Sequence, residues 1–140
     1  ELMQLQAETF RSKRPMTLPP PCFTEMKGEF ISFSENRFLV CRFPNDPRFQ
    51  NPIGLMQGGF IVAAIDNTLG PLSYLLAPTS VTTQLNTTYL RPVTARDAYI
   101  EVHGEVLAES KSYIHLQATV LSPNGKKIAL AFSTHQILGT

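Results

Sequence analysis

Charge is what this sequence has least of. Only 16% of its 140 residues are Asp, Glu, Lys or Arg, 43% are hydrophobic, and the formal net charge is +1. Lys and Arg are scattered, with no run longer than Lys126-Lys127, so nothing provides the electrostatic footprint that nucleic acid requires. Tryptophan is absent and cysteine occurs only at Cys22 and Cys41. That pair has neither metal-ligand spacing nor the density of a secreted disulfide scaffold, so both are read as buried or idle thiols of a cytoplasmic protein. No window supplies the roughly 20 apolar residues of a membrane span, and the N-terminus lacks the order of a signal peptide. The histidines His103, His115 and His135 fall in strand-like segments without metal-ligand spacing, and neither a metal nor a cofactor is expected. Sparse charge also leaves apolar surface for another subunit to cover, which makes self-association an expectation.

The length fits one domain around a single core. Residues 1–27 read as an N-terminal arm, helix-compatible at first and then extended through "RPMTLPPP", whose prolines forbid a regular element. Residues 28–140 read as the folded domain. It opens with strand-like "EFISFS" and "RFLVCRF" around a turn at Glu35-Asn36, followed by the loop "PNDPRFQNPIG". From Met56 to Leu76 apolar residues leave almost no polar face, which predicts a helix buried on nearly all sides. Pro71 is expected to kink or end it and Pro78 to close it.

Beyond the helix the period becomes two. Val81, Thr83, Leu85, Thr87 and Tyr89 share one face; Ala98, Ile100, Val102, Gly104, Val106 and Ala108 share a face of the next strand. Ile114, Leu116, Ala118 and Val120 alternate in the same way, as do Ile128, Leu130 and Phe132, with a hairpin turn at Asn124-Gly125 between them. Two strands, one buried helix and three or four long strands predict an α+β fold, an antiparallel sheet curled around the helix.

The chemistry concentrates in "QGGFIVAAIDN", residues 57–67. A carboxylate inside a buried helix is either satisfied by neighbours or poised for chemistry, and Asp66 alone leaves both open. Gly58 and Gly59 alone permit nothing more than close packing. Together they read differently: bare N–H groups at a helix N-terminus accept negative charge, including charge developing on a carbonyl oxygen, and the missing side chains admit a bulky acyl group. Gln57 and Asp66 stand nine residues apart, roughly 13 Å along a helix. One carbonyl cannot touch both from one helix, so a shared substrate requires two copies of the chain and a two-fold dimer with composite sites.

The stretches "NPIGLMQGG", "AAIDN" and "VTTQLNTTYLRP" resemble the hotdog-fold acyl-CoA thioesterases of the phenylacetate-degradation type, over about residues 28–138. The resemblance implies the hotdog fold and hydrolysis of an acyl- or aryl-acyl-CoA to acid and CoA by a homodimer, or a dimer of dimers, without a cofactor. Where that family has His-Gly-Gly, this chain has Gln57, Gly58 and Gly59, with Asn51 before them and Asp66 after. The implied roles are polarisation of the thioester carbonyl by the Gly58 N–H, a pocket shaped by Asn51, Gln57 and Gly59, and Asp66 of the partner as general base or nucleophile. Thr82 falls where the family places a Ser or Thr that helps position the water or the carboxylate, with Thr83 beside it. Asn67, Arg91, Lys111 and Ser112 are the further candidates for contacts with the acyl-CoA. Glutamine donates a hydrogen bond but does not exchange a proton near neutral pH. A non-catalytic acyl-CoA-binding protein is therefore the alternative, and a thioester dehydratase ranks below both because no histidine lies near the helix start.

Overall fold

The computed structural model of the chain describes residues 16–34, 37–77 and 79–138. The turn at Glu35-Asn36, the stop at Pro78 and the helix-compatible start of the arm lie outside them. The elements in order are α1 (Pro21–Glu25), β1 (Glu29–Ser34), β2 (Phe38–Pro44), a single 3₁₀ turn (Pro47–Phe49), α2 (Gly58–Leu76), β3 (Ser80–Tyr89), β4 (Tyr99–Glu109), β5 (Tyr113–Leu121) and β6 (Lys127–Ile137). The six strands form one antiparallel sheet in the order β1-β2-β4-β5-β6-β3, which curves around α2 as the α+β expectation requires. Tight turns make sequence neighbours pair. In the β5–β6 turn, Gly125 takes a φ of 80° that residues with a side chain rarely adopt. The chain leaves α2 to lay β3 on the far edge, then returns to the centre with β4.

The expected alternation holds in the central strands. Ile100, Val102, Gly104 and Val106 of β4 and Ile114, Leu116, Ala118 and Val120 of β5 are buried, whereas Ala108, after an irregularity that follows Val106, is exposed. A Cβ on Gly104 would stand 3.0 Å from Leu69 Cδ2 and 3.4 Å from Leu72 Cδ2, so the bare glycine is what lets α2 lie close on β4. Leu69 and Leu72 are fully buried there, each contributing about 1.5–3 kcal/mol by leaving water.

Three expectations are corrected. First, of the two outcomes expected at Pro71 the ending does not occur, and α2 runs on to Leu76. The residue before proline resists helical geometry chiefly through its Cβ, and here it is Gly70, whose Cβ position has no atom within 4 Å. Second, α2 is not wrapped on all sides. Ile61, Ala64, Ile65, Thr68, Leu69, Leu72, Ser73 and Leu75 are buried, but Gly59 and Asp66 are exposed and Val62, Ala63 and Gly70 half-buried, a stripe at helical spacing open to solvent. Although α2 is long and apolar enough to cross a membrane by length and composition alone, it lies as the core helix on the sheet and carries Asp66. Third, β3 does not keep one phase. A bulge between Thr82 and Gln84 shifts its register on β6, so Thr82, rather than Thr83, turns with Tyr89 toward α2.

The end of the segment assigned to the arm is part of the packing. Pro21 starts α1 at a position where its missing N–H costs nothing. Phe23 is 1% exposed, stacked on Phe30 at 4.6 Å and edge-on to Phe43 at 5.6 Å.

Candidate active site

The loop before α2 holds the helix start in place. Asn51 Oδ1 accepts from the Ile53 and Leu55 N–H groups, both at 3.0 Å, which leaves the Nδ2 group as the part of Asn51 that can donate to a ligand. Met56 N–H donates to Val93 O at 3.0 Å and Gln57 N–H to Phe49 O at 2.7 Å, while Phe49 stacks on Phe60 at 4.1 Å. Gln57 is the N-cap residue, exposed, and its side chain makes no capping bond. The first turn of α2 thus presents its N–H groups without a side-chain cap, a setting for negative charge.

The two glycines differ from each other. Tyr89 Oη donates to Gly58 O at 3.0 Å, and a Cβ on Gly58 would stand 2.8 Å from that oxygen and 2.9 Å from Cζ. The space bared by Gly58 is therefore taken by Tyr89, not kept for an acyl group, whereas nothing lies within 4 Å of a Cβ built on Gly59. Asn51, Gly58, Tyr89 and Arg91 wall a cavity of about 410 Å³ at this end.

Asp66 belongs to the other end. It is exposed on the open stripe of α2, and Thr82 Oγ1 donates to its Oδ1 at 3.0 Å. His135 approaches the same hydroxyl, with Nε2 3.5 Å from Thr82 Oγ1. Burial lowers the His135 pKa from the ordinary 6.5, against the opposing pull of the Asp66 charge, so its surroundings disfavour the protonated ring. The three side chains line a cavity of about 500 Å³. Leu18, Pro19 and Pro20 of the arm, Cys22 of α1 and Tyr74 of α2 form more of its wall.

Each predicted residue can now be placed. Asn51, Gly58 and Arg91 come together at the helix start, and Asp66, Asn67 and Thr82 at the far cavity. Asn67 has its own partners there: its Oδ1 accepts from Cys22 Sγ at 3.3 Å and its Nδ2 contacts Met26 Sδ at 3.6 Å, tying α1 to α2. Thr83 points elsewhere, donating to Thr134 O at 3.0 Å. Gln57, Gly59, Lys111 and Ser112 line neither cavity. The Lys111-Ser112 turn lies beside the end of β6, where Ser112 O accepts from Ile137 N–H at 2.8 Å, and Ile137 pairs with Ser80. Arg91 N–H donates to Ile128 O at the opposite end of β6. Among the described residues the two cavities share no lining side chain.

Sequence reasoning missed His135 and Tyr89 as site residues. Both carried a signal, since each stands in step with inward neighbours of its strand: His135 with Ala129, Ala131 and Ser133, and Tyr89 with Leu85 and Thr87. His103 and His115 lie away from the site. His103 Nε2 is 2.8 Å from Glu101 Oε1, beside Arg42, and His115 Nδ1 is 3.2 Å from Thr134 Oγ1.

Comparison with known proteins agrees with this fold. Similar solved structures include the Escherichia coli PaaI protein of the phenylacetic acid degradation operon, at 18% identity, TM-score 0.81 and 86% coverage of both chains. A variant of the phenylacetic acid degradation protein PaaI from Thermus thermophilus is 21% identical, with TM-score 0.77, over 85% of this chain and 100% of that one. A Streptococcus mutans protein bound to acetyl CoA is 18% identical, with TM-score 0.76, over 91% of this chain and 96% of that one. At these identities the likeness is one of fold. Residues 53–129, from the loop ahead of α2 into β6, match the thioesterase superfamily, and with its hotdog fold the chain belongs to that superfamily.

Proposed function

We propose that the protein is an acyl-CoA thioesterase, hydrolysing an acyl- or aryl-acyl-CoA to the free acid and CoA in a site that two protomers complete together. The observation that carries this reading is the separation of the two half-sites: Gly58 at the start of α2 and the Asp66–Thr82 pair lie roughly 12 Å apart along α2, in different cavities. Asp66 of the larger cavity and Tyr89 of the smaller one both border a face that a single chain leaves uncovered. That face holds Gly59, Val62, Ala63 and Asp66 of α2 beside β3, an edge strand with Val81 43% and Tyr89 50% exposed. A long edge invites strand pairing. A two-fold axis beside β3 would run it antiparallel to its copy and bring each chain's helix start to its partner's Asp66. Arg91 and the Lys111-Ser112 turn, at opposite ends of one chain, would then meet around one CoA and its phosphates. The outer face of the sheet, where Phe38 is 48% and Phe132 57% exposed, offers a second contact for a dimer of dimers.

The chemistry follows from the donors. The thioester carbonyl receives the Gly58 N–H and the Asn51 Nδ2 group, which stabilise the oxygen as charge develops on it. Asp66 takes a proton from a water, the water oxygen bonds to the carbonyl carbon, and collapse of the adduct breaks the C–S bond. The thiolate leaves with that proton as CoA thiol. Gln57 takes no part as a proton carrier, and the step needs none from it.

The test is release of CoA thiol from short, long and phenylacetyl-like acyl-CoAs by the wild type, Asp66→Asn and Asn51→Ala, separately and after mixed refolding. Each variant alone is expected to be inactive and folded. Randomly mixed dimers would regain about a quarter of the wild-type sites, because each heterodimer holds one intact site in two. Undiminished turnover in Asp66→Asn would remove Asp66 as the base, and failure to complement would remove the shared site. A wild type that binds acyl-CoA without hydrolysing it would be the binding protein that Gln57 allows.

A further inference from the structure

We propose that His135 is a positioning residue for the hydrolysis, fixing the Thr82 hydroxyl proton on Asp66 by donating its own Nε2–H to Thr82 Oγ1. The role rests on the thioesterase reading above. A threonine hydroxyl has one proton and two lone pairs, and that proton goes to Asp66 Oδ1 at 3.0 Å. Any further neighbour of the same oxygen has to donate. His135 Nε2, at 3.5 Å, is that neighbour, so the contact selects the Nε2–H tautomer. At 3.5 Å the contact is longer than the roughly 2.7–3.2 Å of an ordinary N–H···O bond, and catalytic hydrogen bonds that are long without substrate often tighten once it is bound. His135 is 1% exposed, on β6 opposite Thr82 of β3, so its ring is fixed by packing.

The consequence for Asp66 is asymmetry between its oxygens. With Oδ1 engaged by Thr82, Oδ2, which makes no hydrogen bond with the described residues, is the oxygen left to take a proton from water, and the carboxylate cannot rotate without breaking a bond. Without His135 the Thr82 hydroxyl could turn to the vacated space and release Oδ1. A neutral donor achieves this without placing a positive charge beside the base, which would weaken it. Among the described residues neither His103 nor His115 hydrogen-bonds with Asp66 or Thr82.

The experiment compares wild type, His135→Gln, which keeps an N–H donor, and His135→Phe, which keeps bulk without one. Steady-state kinetics are read on the best acyl-CoA, together with thermal melting, and ¹⁵N NMR gives the His135 tautomer in wild type and Thr82→Val. His135→Phe is expected to lower kcat by about 10- to 100-fold with KM little changed, and His135→Gln to recover most of the loss. The Nε2–H tautomer is expected, with a shifted Nε2 resonance in Thr82→Val. An unchanged kcat in His135→Phe, equal losses in both folded variants, or the Nδ1–H tautomer would each overturn the role. Should His135→Phe fail to fold, His135→Gln and the tautomer decide. A wild type that turns over no acyl-CoA overturns the hydrolase reading itself, while the NMR result reports separately on the hydrogen bond.

Discussion

Thr82 Oγ1 donates to Asp66 Oδ1 at 3.0 Å, joining β3 to the open face of α2 at the one point where that face carries a carboxylate. Both residues are exposed in the single chain, so the bond contributes little to stability and its value lies in orientation. Thr82→Ser keeps the hydroxyl and is expected to retain most activity, whereas Thr82→Val, equal in shape, should lower kcat by on the order of 10-fold or more. Melting temperatures of the two should match within a degree or two. A Thr82→Val enzyme with wild-type kcat would make the contact incidental.

The adjacent glycines should respond oppositely to the same methyl group. Gly58→Ala forces a Cβ to 2.8 Å from Tyr89 Oη and is expected to cost about 1–3 kcal/mol, measured by urea unfolding. Gly59→Ala meets no atom of its own chain and replaces a flexible residue in a helix, a gain of about 0.5–1 kcal/mol. If the space at Gly59 is where substrate or partner sits, that stabilised variant will nonetheless lose turnover or dimerisation. Equal effects at the two positions would contradict the placement of Tyr89.

Stability should fall on the acid side. His135 is held below its ordinary pKa of 6.5, chiefly by burial, while the unfolded ring titrates near the ordinary value. Between the folded and unfolded values the unfolded chain binds more protons, so the contribution is complete above about pH 6.5 and is lost as pH falls through the folded pKa. Urea midpoints measured from about pH 7.5 down to about pH 5 should decline for the wild type and less steeply for His135→Gln. Identical slopes would mean that His135 carries no such linkage.

The two cysteines should separate in a thiol titration of the native protein. Cys22 is exposed at the wall of the larger cavity, while Cys41 is fully buried and its pKa is pushed up to about 12 by desolvation, against a hydrogen bond with Thr68. One thiol is expected to react at once and the second only on unfolding. A bulky adduct on Cys22 should slow acyl-CoA hydrolysis, and Cys22→Ser should protect the enzyme from the reagent. Rapid reaction of both thiols would show that the β2 core opens readily.

How far the sequence could be read follows from particular residues. Val102, Leu116 and their neighbours announce central strands because both faces of β4 and β5 obey a simple alternation. Asp66 stood out because charge is rare in its helix, and its nine-residue separation from Gln57 is what raised the expectation of a second chain. The bulge at Thr83 was invisible, since a period of two carries straight across an inserted residue. His135 was missed because the eye follows Ile128, Leu130 and Phe132, the bulky residues of β6. The inward face belongs to the small, buried Ala129, Ala131 and Ser133, and Phe132 instead points outward at 57% exposure. The exposed face of α2 was legible only as apolarity, because hydropathy does not say whether the same chain or another covers it.

The distance between the two ends of α2 has a further meaning for heredity. If each site draws on both chains, two alleles that damage opposite ends would partly rescue each other in one cell, although neither works alone. An allele damaged at both ends would behave differently: every mixed dimer would carry two faulty sites, and the defect would be dominant over a healthy copy.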